Sequence, residues 1–382
     1  MRPVQRPGLS HSQRVAWLRL ARSERIGSVT FHNFINRFGS ADAALEALPG
    51  IMARSRGGDK TLRVCSAAEA EREIEEASRL GIRHVAAGEA DYPALLRNID
   101  DNPPFLLIQG EISAPGRNTM PSVAVVGSRY PSVAGLKMAT TLAHDLGASG
   151  HLVVSGFARG IDTAAHEAAL KSGTVAVLAG GHARLYPPEN TPLAREILDH
   201  GGAIVSEMPP HFEPRGQDFP RRNRIISGMS LGVVVVEAAR RSGSLITARL
   251  AGEQGRQVFA VPGSPLDPRA EGTNGLIREG ATLIRSADDI VQDLRPTIAD
   301  ESDTNQARFR LETVSDDDFQ PQPLTQGAID VVLSGLSSSP VHQDDLVRFT
   351  GLSPAAILSS LCELEVSGRI ERHRGQWFTL LA

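Results

Sequence analysis

Residues 122–132 read SVAVVGSRYPS, a run of apolar residues that passes through Gly127 and Ser128 into a helical pattern beginning at Ser132. A strand that leads through glycine into a helix start places backbone N–H groups and the positive end of the helix dipole at the strand's carboxyl end. Anions bind at such a point, and Arg129 adds a positive charge. This stretch therefore predicts a strand–turn–helix unit with an anion-binding turn.

The same alternation continues along the middle of the chain. Short apolar runs occupy residues 123–126, 152–154, 175–178, 203–205, 233–236 and 258–261, and glycine-rich turns and amphipathic helical patterns separate them. Continuous apolar strands that alternate with helices are typical of a parallel sheet covered on both faces. We therefore predict an α/β fold, a Rossmann-like, doubly wound and mostly parallel sheet over residues 86–295.

The next predicted strand, residues 152–154, is also followed by a glycine-containing turn with an arginine and then by a helical pattern. Residues 155–162 read SGFARGID, which supplies the candidate anion contacts Ser155, Gly156, Phe157, Arg159 and Gly160. Two such strand ends side by side define a crevice of the doubly wound type. Neither turn matches GxGxxG or GxxxxGK[ST], so a dinucleotide or P-loop site is weakly supported. Tight helix–strand packing is the alternative explanation for either turn alone.

A cluster of arginines follows in residues 219–227, FPRRNRIIS, at the predicted start of a helix. A helix N-terminus disfavours cations, so an anionic ligand opposite them explains the cluster better than a solvated basic face does. The candidate contacts from this segment are Arg221, Arg222, Asn223, Arg224 and Ser227.

A further strand end follows residues 233–236, where Glu237 precedes the segment SGSLIT at 242–247. Ser244 and Thr247 there suit either a plain helix cap or an anion contact. Asp162 and His166, four positions apart on one predicted helix, could form an acid–base pair with Glu237 nearby. Since no nucleophile elbow or metal-ligand spacing accompanies them, we expect no catalysis, no metal and no cofactor.

The totals narrow the class of protein. A chain of 382 residues predicts two or three domains. The formal net charge of -4 argues against a uniformly basic surface, so any nucleic-acid site must be a local arginine cluster. Cys65 and Cys362 have no CxxC spacing, which fits a reducing compartment. The sequence shows no signal-peptide core and no apolar run of roughly 20 residues, so we expect a cytoplasmic protein without a membrane segment.

Two helical domains are predicted to flank the central one. Residues 1–85 show apolar spacings of three and four, at Val15 and Leu18 and then at Phe31, Phe34 and neighbouring positions. Within it, residues 24–51, in which Gly27 precedes a helical run that ends in Phe38-Gly39-Ser40, resemble a helix–hairpin–helix or sterile-alpha-motif-like unit, which could hold a DNA phosphate or a protein. Residues 296–323 are acidic and contain prolines, as a solvated linker would.

Residues 324–382 have the pattern of a winged helix. Its second helix, residues 354–366, stands where such domains place a DNA-reading helix, yet it contains Glu363 and Glu365 and no Lys or Arg. Basic residues occur only in the predicted wing, at Arg369, Arg372 and Arg374. Sequence-specific reading of duplex DNA is therefore not expected.

Several of these segments together resemble the DNA-processing protein A (DprA/Smf) family. The matching blocks, in family order, are VAVVGSRxxS, SGFARGIDTAAH, YPPEN at 186–190, SEMPP at 206–210, FPRRNRIIS, VVVVEAARRSGSLITA and FAVPG. Tyr92-Pro93, Pro103-Pro104 and Gly110 match the segment that leads into them. The resemblance covers about residues 90–290.

This resemblance implies a function without turnover: binding and protecting single-stranded DNA, and loading the RecA recombinase onto it during natural transformation. It also implies a homodimer through the Rossmann-like domain. The implied phosphate contacts are Arg129, Arg159 and Arg224, with backbone or hydroxyl groups from Gly127, Ser128, Ser132 and Gly156. The family often has Lys at the position of Arg159, so charge is kept there.

Two other classes of function stay open. A nucleotide-processing enzyme of the phosphoribohydrolase type has glycine-rich strand ends on a similar sheet. It needs a PGGxGTxxE turn, however, of which this chain has only Pro262-Gly263. A scaffold without a ligand is the third class, and the arginine cluster argues against it. Phe157 and Phe219 each lie beside a candidate turn, so either is a candidate to stack a base, with a core role as the alternative.

Overall fold

The computed structural model describes residues 8–54, 63–112, 120–304, 326–373 and 375–381. These residues form two compact units. The first contains the described residues of Met1–Gly8 and Glu73–Arg310, and the second contains those of Leu9–Arg72 and Leu311–Ala382. The second unit is thus assembled from segments near the two ends of the sequence.

The helices are α1 His11–Arg22, α2 Ser28–Phe38, α3 Ala41–Arg54, α4 Ala67–Arg79, α5 Ala94–Arg97, α6 Val133–Ala148, α7 Ile161–Ala169, α8 Thr191–Asp199, α9 Asp218–Gly228, α10 Gly243–Glu253, α11 Glu271–Arg278, α12 Ala287–Thr304, α13 Gln326–Ser334, α14 Gln343–Thr350 and α15 Pro354–Val366. The strands are β1 Ile82–Ala86, β2 Phe105–Gly110, β3 Ser122–Val126, β4 Leu152–Ser155, β5 Thr174–Val177, β6 Ala203–Ser206, β7 Gly232–Val235, β8 Gln257–Ala260, β9 Thr282–Leu283, β10 Val341–His342, β11 Ile370–His373 and β12 Trp377–Leu380.

The first unit contains a nine-stranded sheet in the order β1-β2-β6-β5-β4-β3-β7-β8-β9. After β1 and β2 at one edge, the chain enters the middle of the sheet at β3, moves towards that edge through β4, β5 and β6, and then continues on the other side of β3 through β7, β8 and β9. Neighbours among β3–β9 are parallel, whereas β2 is antiparallel to both β1 and β6. This topology confirms the predicted doubly wound, mostly parallel α/β fold.

The six predicted strands are all present, each within one residue of its predicted ends. They form readily because both sheet faces are covered. In β3, Val125 packs with α6, α7 and α12, whereas its neighbour Val126 packs with α9 and α10 on the opposite face. Each residue of β3, β4, β5 and β7 is buried. A strand covered on both faces has a continuous apolar sequence, which made these strands predictable.

The two ends of the central domain differ from the predicted boundaries. The expected boundary at residue 85 falls inside β1, which pairs with β2 from Ile82 opposite Gln109 to Ala86 opposite Phe105. Residues 82–85 therefore belong to the sheet and not to the helical segment. At the other end, α12 continues to Thr304, so residues 296–304 of the predicted linker are helical. Residues 305–323 of that linker lie outside the described residues.

The second unit contains the predicted helical domain and the predicted winged helix. Within α1 and α2, Val15, Leu18, Phe31 and Phe34 are buried, as the apolar spacing predicts. The winged helix consists of α13, α14, α15 and a three-stranded sheet in the order β10-β12-β11. Its third helix, α15, matches the predicted range 354–366, where the Ser353 side chain caps it by accepting a hydrogen bond from Ala356 N.

Some features bear on the wider class of protein. Among the described ranges there is no helix with the length and apolar character needed to cross a membrane. The same residues include no group of three or more His, Cys, Asp or Glu side chains arranged to hold a metal ion. Cys65 and Cys362 are both buried free thiols.

Candidate functional site

A solvent-open pocket, with about 340 Å³ of unoccupied space when the open solvent at its mouth is included, lies at the carboxyl ends of β4 and β5, where the turns after β3 and β4 meet the first turns of α9. We call it the arginine pocket. Its lining residues are Arg129, Gly156, Ala158, Arg159, Ala179, Tyr186, Pro187, Phe219 and Arg222. The turns that the sequence singled out after residues 126 and 155 therefore do converge, together with the arginine-bearing helix.

The floor of the arginine pocket is a buried guanidinium. Arg222 Nη1 donates to the carbonyl of Gly156 at 2.6 Å and also to the carbonyl of Val177. Arg222 thus satisfies two carbonyl acceptors at the carboxyl ends of β4 and β5, at the edge of the sheet where the pocket lies. Burial lowers its pKa from 12.5 to about 10, which leaves it protonated at neutral pH. A fixed positive charge therefore lies beneath the cavity.

A buried carboxylate lies close to this guanidinium. Asp162 Oδ2 accepts hydrogen bonds from the backbone N–H groups of Gly156 at 3.1 Å and Ala158 at 3.3 Å. Burial raises the pKa of Asp162 from 3.8 to about 6, against the opposing effect of Arg222. The backbone N–H groups of Gly156 and Ala158 are thus bound to Asp162 in this turn and do not point at the pocket unpaired.

The end of this turn requires glycine at residue 160. Gly160 has φ of +79°, a conformation that L side chains disfavour, and a Cβ there would lie 2.5 Å from the carbonyl oxygen of Ser128. At residue 156 a Cβ would lie 2.8 Å from Asp162 Oδ2 and 2.9 Å from Arg222 Nη2, so a larger residue would displace the ends of these two side chains.

The rim of the pocket combines cations with aromatic rings. The Arg129 guanidinium carbon lies 5.3 Å from the centre of the Phe219 ring. Tyr186 meets the same ring edge-on, with centroids 5.6 Å apart, and is 46% exposed. Arg159, which lines the pocket, pairs through Nη2 with Glu189 Oε1 at 2.6 Å, and both side chains are partly exposed. An incoming anion can therefore replace Glu189 at low cost, since exposed pairs are weak.

Arg224 does not line the pocket, so the structure does not bring Arg129 and Arg224 together in one crevice as expected. Arg224 is buried and pairs through Nη2 with Glu207 Oε1 at 2.7 Å and through Nε with Asp101 Oδ2 at 3.1 Å. Residues two apart on a helix point in nearly opposite directions. When Arg222 faces the pocket, Arg224 must therefore face away from it.

Ser132 also has a different role from the one expected. As the N-cap of α6, its Oγ accepts a hydrogen bond from Gly135 N at 2.9 Å. The same hydroxyl donates to Glu237, and Ser132 N donates to Glu237 Oε2 at 2.9 Å. The helix N-terminus predicted to bind an external anion therefore holds the chain's own carboxylate, in the gap between the ends of β3 and β7.

Other candidate residues have structural roles. Ser155 is fully buried and donates to the carbonyl of Val125 at 2.6 Å. Phe157 is also fully buried, in the cluster beneath α8, so it is excluded as a base-stacking residue. The remaining buried candidates away from the lining are Asn223, Ser227, Ser244 and Thr247.

Three further candidates flank the pocket. Gly127 allows close packing, since a Cβ there would lie 2.7 Å from Ile161 Cγ1. Ser128 fixes the turn, because its Oγ accepts from Tyr130 N at 3.1 Å. Arg221 is half exposed and its Nη2 lies 3.5 Å from Glu207 Oε1. The first two position Arg129, and the third does not line the cavity.

The sequence reasoning did not select Tyr186, Pro187, Ala158 or Ala179 as site residues. The sequence does contain an indication of Tyr186, because this residue begins the YPPEN block at 186–190, which lies between β5 and α8. That segment is held against the turn after β4 by Asn190, whose Nδ2 donates to the Phe157 carbonyl at 3.1 Å and to Thr163 Oγ1 at 2.9 Å.

The geometry does not favour acid–base chemistry by Asp162 and His166. His166 is fully buried, and burial lowers its pKa from 6.5 to about 3. Its Nδ1 lies 2.7 Å from Thr174 Oγ1, which itself donates to the Val153 carbonyl, so the ring nitrogen is the donor of that pair. His166 is a neutral packed residue in the helix–sheet interface.

The fold and the pocket define a class: Rossmann-like proteins with arginine and aromatic side chains grouped at the carboxyl edge of the sheet. Within that class the chain belongs to the DNA recombination-mediator protein A family, whose model matches residues 83–295. Residues 11–76 match the DprA-like N-terminal HHH domain, and residues 319–376 match the DprA winged helix domain. The family resemblance predicted from the sequence is confirmed.

Individual relatives agree with this assignment. Protein Smf of Synechocystis is 30% identical over 96% of this chain and 98% of its own length. The X-ray structure of DNA processing protein A from Streptococcus pneumoniae is 35% identical, with a TM-score of 0.55 over 69% of this chain and 86% of that chain. The Helicobacter pylori protein, described for its unique single-stranded DNA binding mode, is 28% identical, with a TM-score of 0.51 over 56% of this chain and 96% of that chain.

Proposed function

We propose that this protein binds single-stranded DNA in the arginine pocket, without sequence preference and without turnover. The observation that carries the proposal is the pairing of guanidinium groups with partly exposed aromatic rings in one cavity. Arg129, Arg159 and Arg222 supply positive charge for phosphates, and Phe219 and Tyr186 supply faces for bases. The single-stranded DNA binding mode described for the H. pylori relative supports the same ligand.

The pocket favours a single strand over a duplex for a geometric reason. A base can lie against Phe219 or Tyr186 only when its own face is free, which pairing and stacking in a duplex prevent. The cations also differ in depth: Arg222 is buried at the floor, whereas Arg129 is exposed at the rim. A flexible strand can follow such a stepped surface, and a stiff double helix cannot.

Further roles follow from the family and are part of the proposal. We propose that the bound strand is protected, that the protein helps to load the RecA recombinase onto it during natural transformation, and that it acts in the cytoplasm. We further propose a homodimer through the Rossmann-like domain. In this scheme the DNA site lies in residues 86–295, and the helical and winged-helix domains have accessory roles.

A salt titration of oligonucleotide binding tests the proposal. We expect tighter binding to a single strand than to a duplex of the same length, and an affinity that falls as salt rises. Arg129→Ala should weaken binding and reduce the slope of log K against log salt by about 0.7, the value for one phosphate contact with a single strand. Equal affinity for both forms of DNA would contradict the proposal.

Arg249→Ala is the matched control. Arg249 lies on α10 in the same unit, is exposed, and pairs with Glu253 at 3.7 Å. The substitution Arg249→Ala removes one positive charge, as Arg129→Ala does, and leaves the lining of the pocket unchanged. If Arg129→Ala and Arg249→Ala change the slope equally, the effect reflects overall charge, and Arg129 is not a phosphate contact.

A further inference from the structure

The third helix of the winged helix, α15, is buried on opposite sides. Ile357, Leu361 and Leu364 pack into the core of the winged helix itself. Cys362 and Val366 instead belong to the core of the N-terminal helices, which are formed some 300 residues earlier in the sequence. The apolar character of α15 all round thus has a physical reason: the helix joins two cores.

Polar contacts fix α15 against α2. Arg37 Nη2 pairs with Glu363 Oε1 at 2.7 Å, and the two side chains are only 12% and 3% exposed. Thr30 Oγ1 donates to Glu365 Oε2 at 3.0 Å. The glutamates that made α15 unsuitable for DNA in the sequence are therefore the residues that hold it to the N-terminal helices.

The end of α15 is held in the same way. Arg25 Nη1 donates to the carbonyl of Val366 at 3.4 Å. Gly368 leaves space for this side chain, since a Cβ there would lie 2.6 Å from Arg25 Nη1. In the wing, Arg372 Nε donates to Glu365 Oε2 at 3.2 Å, and its guanidinium lies 4.7 Å from the Phe378 ring centre. This basic wing residue is thus engaged within the unit, whereas Arg374 lies outside the described residues.

We propose that α2 is a built-in cover for α15, so that this winged helix is closed onto its own chain and does not enter a DNA groove. A winged helix or helix-turn-helix protein reads DNA by presenting the outer face of this helix to the major groove. Here that face is occupied by Thr30, Asn33 and Arg37. Removing the cover would expose an apolar surface and leave Glu363 without its buried partner. This inference does not depend on the arginine pocket.

The thiol of Cys362 reports on the cover. Asn33 Nδ2 donates to Cys362 Sγ at 3.1 Å, so the thiol lies at the contact between α2 and α15. Burial raises its pKa from 9.0 to about 11, and the thiolate is the form that alkylating reagents attack. In full-length protein with Cys65→Ser, Cys362 is the single thiol. We expect iodoacetamide to modify it at least a hundredfold more slowly than in the denatured chain.

Charge reversal tests the cause of this protection. Arg37→Glu places two carboxylates together, and we expect the rate of Cys362 modification to rise at least tenfold. Arg37→Glu with Glu363→Arg restores an opposite-charge pair and should restore most of the protection. Arg348→Glu is the control, since Arg348 forms an exposed pair with Asp345 on α14 and should leave the rate unchanged.

Clear outcomes would overturn the inference. One is rapid modification of Cys362 in otherwise unaltered Cys65→Ser protein whose far-UV circular dichroism is that of a folded chain. Another is a double variant that folds but stays as reactive as Arg37→Glu. A third is a rise in the modification rate when duplex DNA is added, because it would show that DNA displaces α2. If Arg37→Glu unfolds the unit, the unaltered protein and the folded double variant still decide.

Discussion

At the residue scale, the two arginines of α9 have opposite roles. Arg222 lies under the pocket, whereas Arg224 is enclosed with Glu207 and Asp101. The segment RRNR does not show which of the two faces the pocket, because both are arginines of the same helix. The rotation of α9 on the sheet decides, and it is set by the buried Ile225 and Ile226. The family resemblance had implied Arg224 as a phosphate contact, whereas the lining of the pocket contains Arg222.

Arg224→Met should therefore destabilise the protein more than it affects DNA binding. Removing one partner of a buried ion pair leaves the other charge uncompensated and costs about 3–5 kcal/mol. Urea unfolding followed by circular dichroism measures this loss. Arg221→Met, half exposed on the same helix, should cost less than about 1 kcal/mol. If Arg224→Met matches wild-type stability but abolishes DNA binding, then Arg224 contacts the strand after all.

The aromatic rim gives a second prediction at this scale. Phe219→Leu and Tyr186→Leu keep apolar bulk but remove the aromatic face, so each should weaken single-strand binding by about 1–3 kcal/mol if its ring stacks a base. Fluorescence anisotropy with a labelled oligonucleotide measures the change. Phe212→Leu, a partly buried ring outside the pocket lining, is the control and should bind as wild type does. Wild-type affinity in both rim variants would rule out stacking there.

At the element scale, the sequence predicts the strands well and the site less well. The six strands of the doubly wound part were predictable because burial on both faces makes each a continuous apolar run. The turns after β3 and β4 were predictable from their glycines. The direction of side chains on α9, and the closure of Ser132 by Glu237 over 105 positions of sequence, depend on tertiary packing. A local sequence pattern contains no information about such packing between distant residues.

The turn between β4 and α7 predicts a pH dependence. Asp162 has its pKa raised to about 6, so it is ionised at pH 7.5 and protonated at pH 5. Protonation removes a negative charge beside Arg222, and single-strand affinity should therefore rise as pH falls through 6, by up to about tenfold. Asp162→Asn should bind tightly at both pH values. If the mutant and wild type show the same pH profile, another group is responsible.

The free energy of unfolding depends on pH in the same direction as the DNA affinity: the contribution of Asp162 to stability increases as pH falls through about 6. A carboxyl group whose folded pKa lies above its unfolded value favours the folded state most below the unfolded pKa, here 3.8. That contribution is lost as pH rises through about 6. Asp162 therefore opposes folding at neutral pH, in keeping with a residue retained for the turn that it organises through Gly156 and Ala158 and not for stability.

At the scale of the whole molecule, the accessory domains form one unit, and this decides how the chain can be shortened. Residues 73–304 alone should retain single-strand affinity within about tenfold, since they contain every lining residue of the pocket. Removing only residues 305–382 deletes α15 and uncovers the apolar surface that Cys362 and Val366 occupy. That shortened protein should aggregate or lose thermal stability.

Size-exclusion chromatography and binding at matched salt distinguish the two shortened proteins. A soluble, monodisperse protein lacking only residues 305–382 would contradict the cover between α2 and α15. A loss of affinity above tenfold, or roughly 1.4 kcal/mol, in residues 73–304 would show that an accessory domain contacts the strand.

The joint between α2 and α15 also has a consequence for synthesis on the ribosome. Ser28–Phe38 emerges more than 300 residues before Pro354–Val366. At about 5–20 residues per second, the nascent chain exposes the side of α2 that awaits its partner for roughly 15–60 s. The Rossmann-like core can fold during that interval, whereas the core of the N-terminal helices is completed only after α15 has emerged. A ribosome that stalls between the two therefore leaves a nascent chain with a folded Rossmann-like core and an exposed apolar surface on its N-terminal helices, a natural substrate for chaperones.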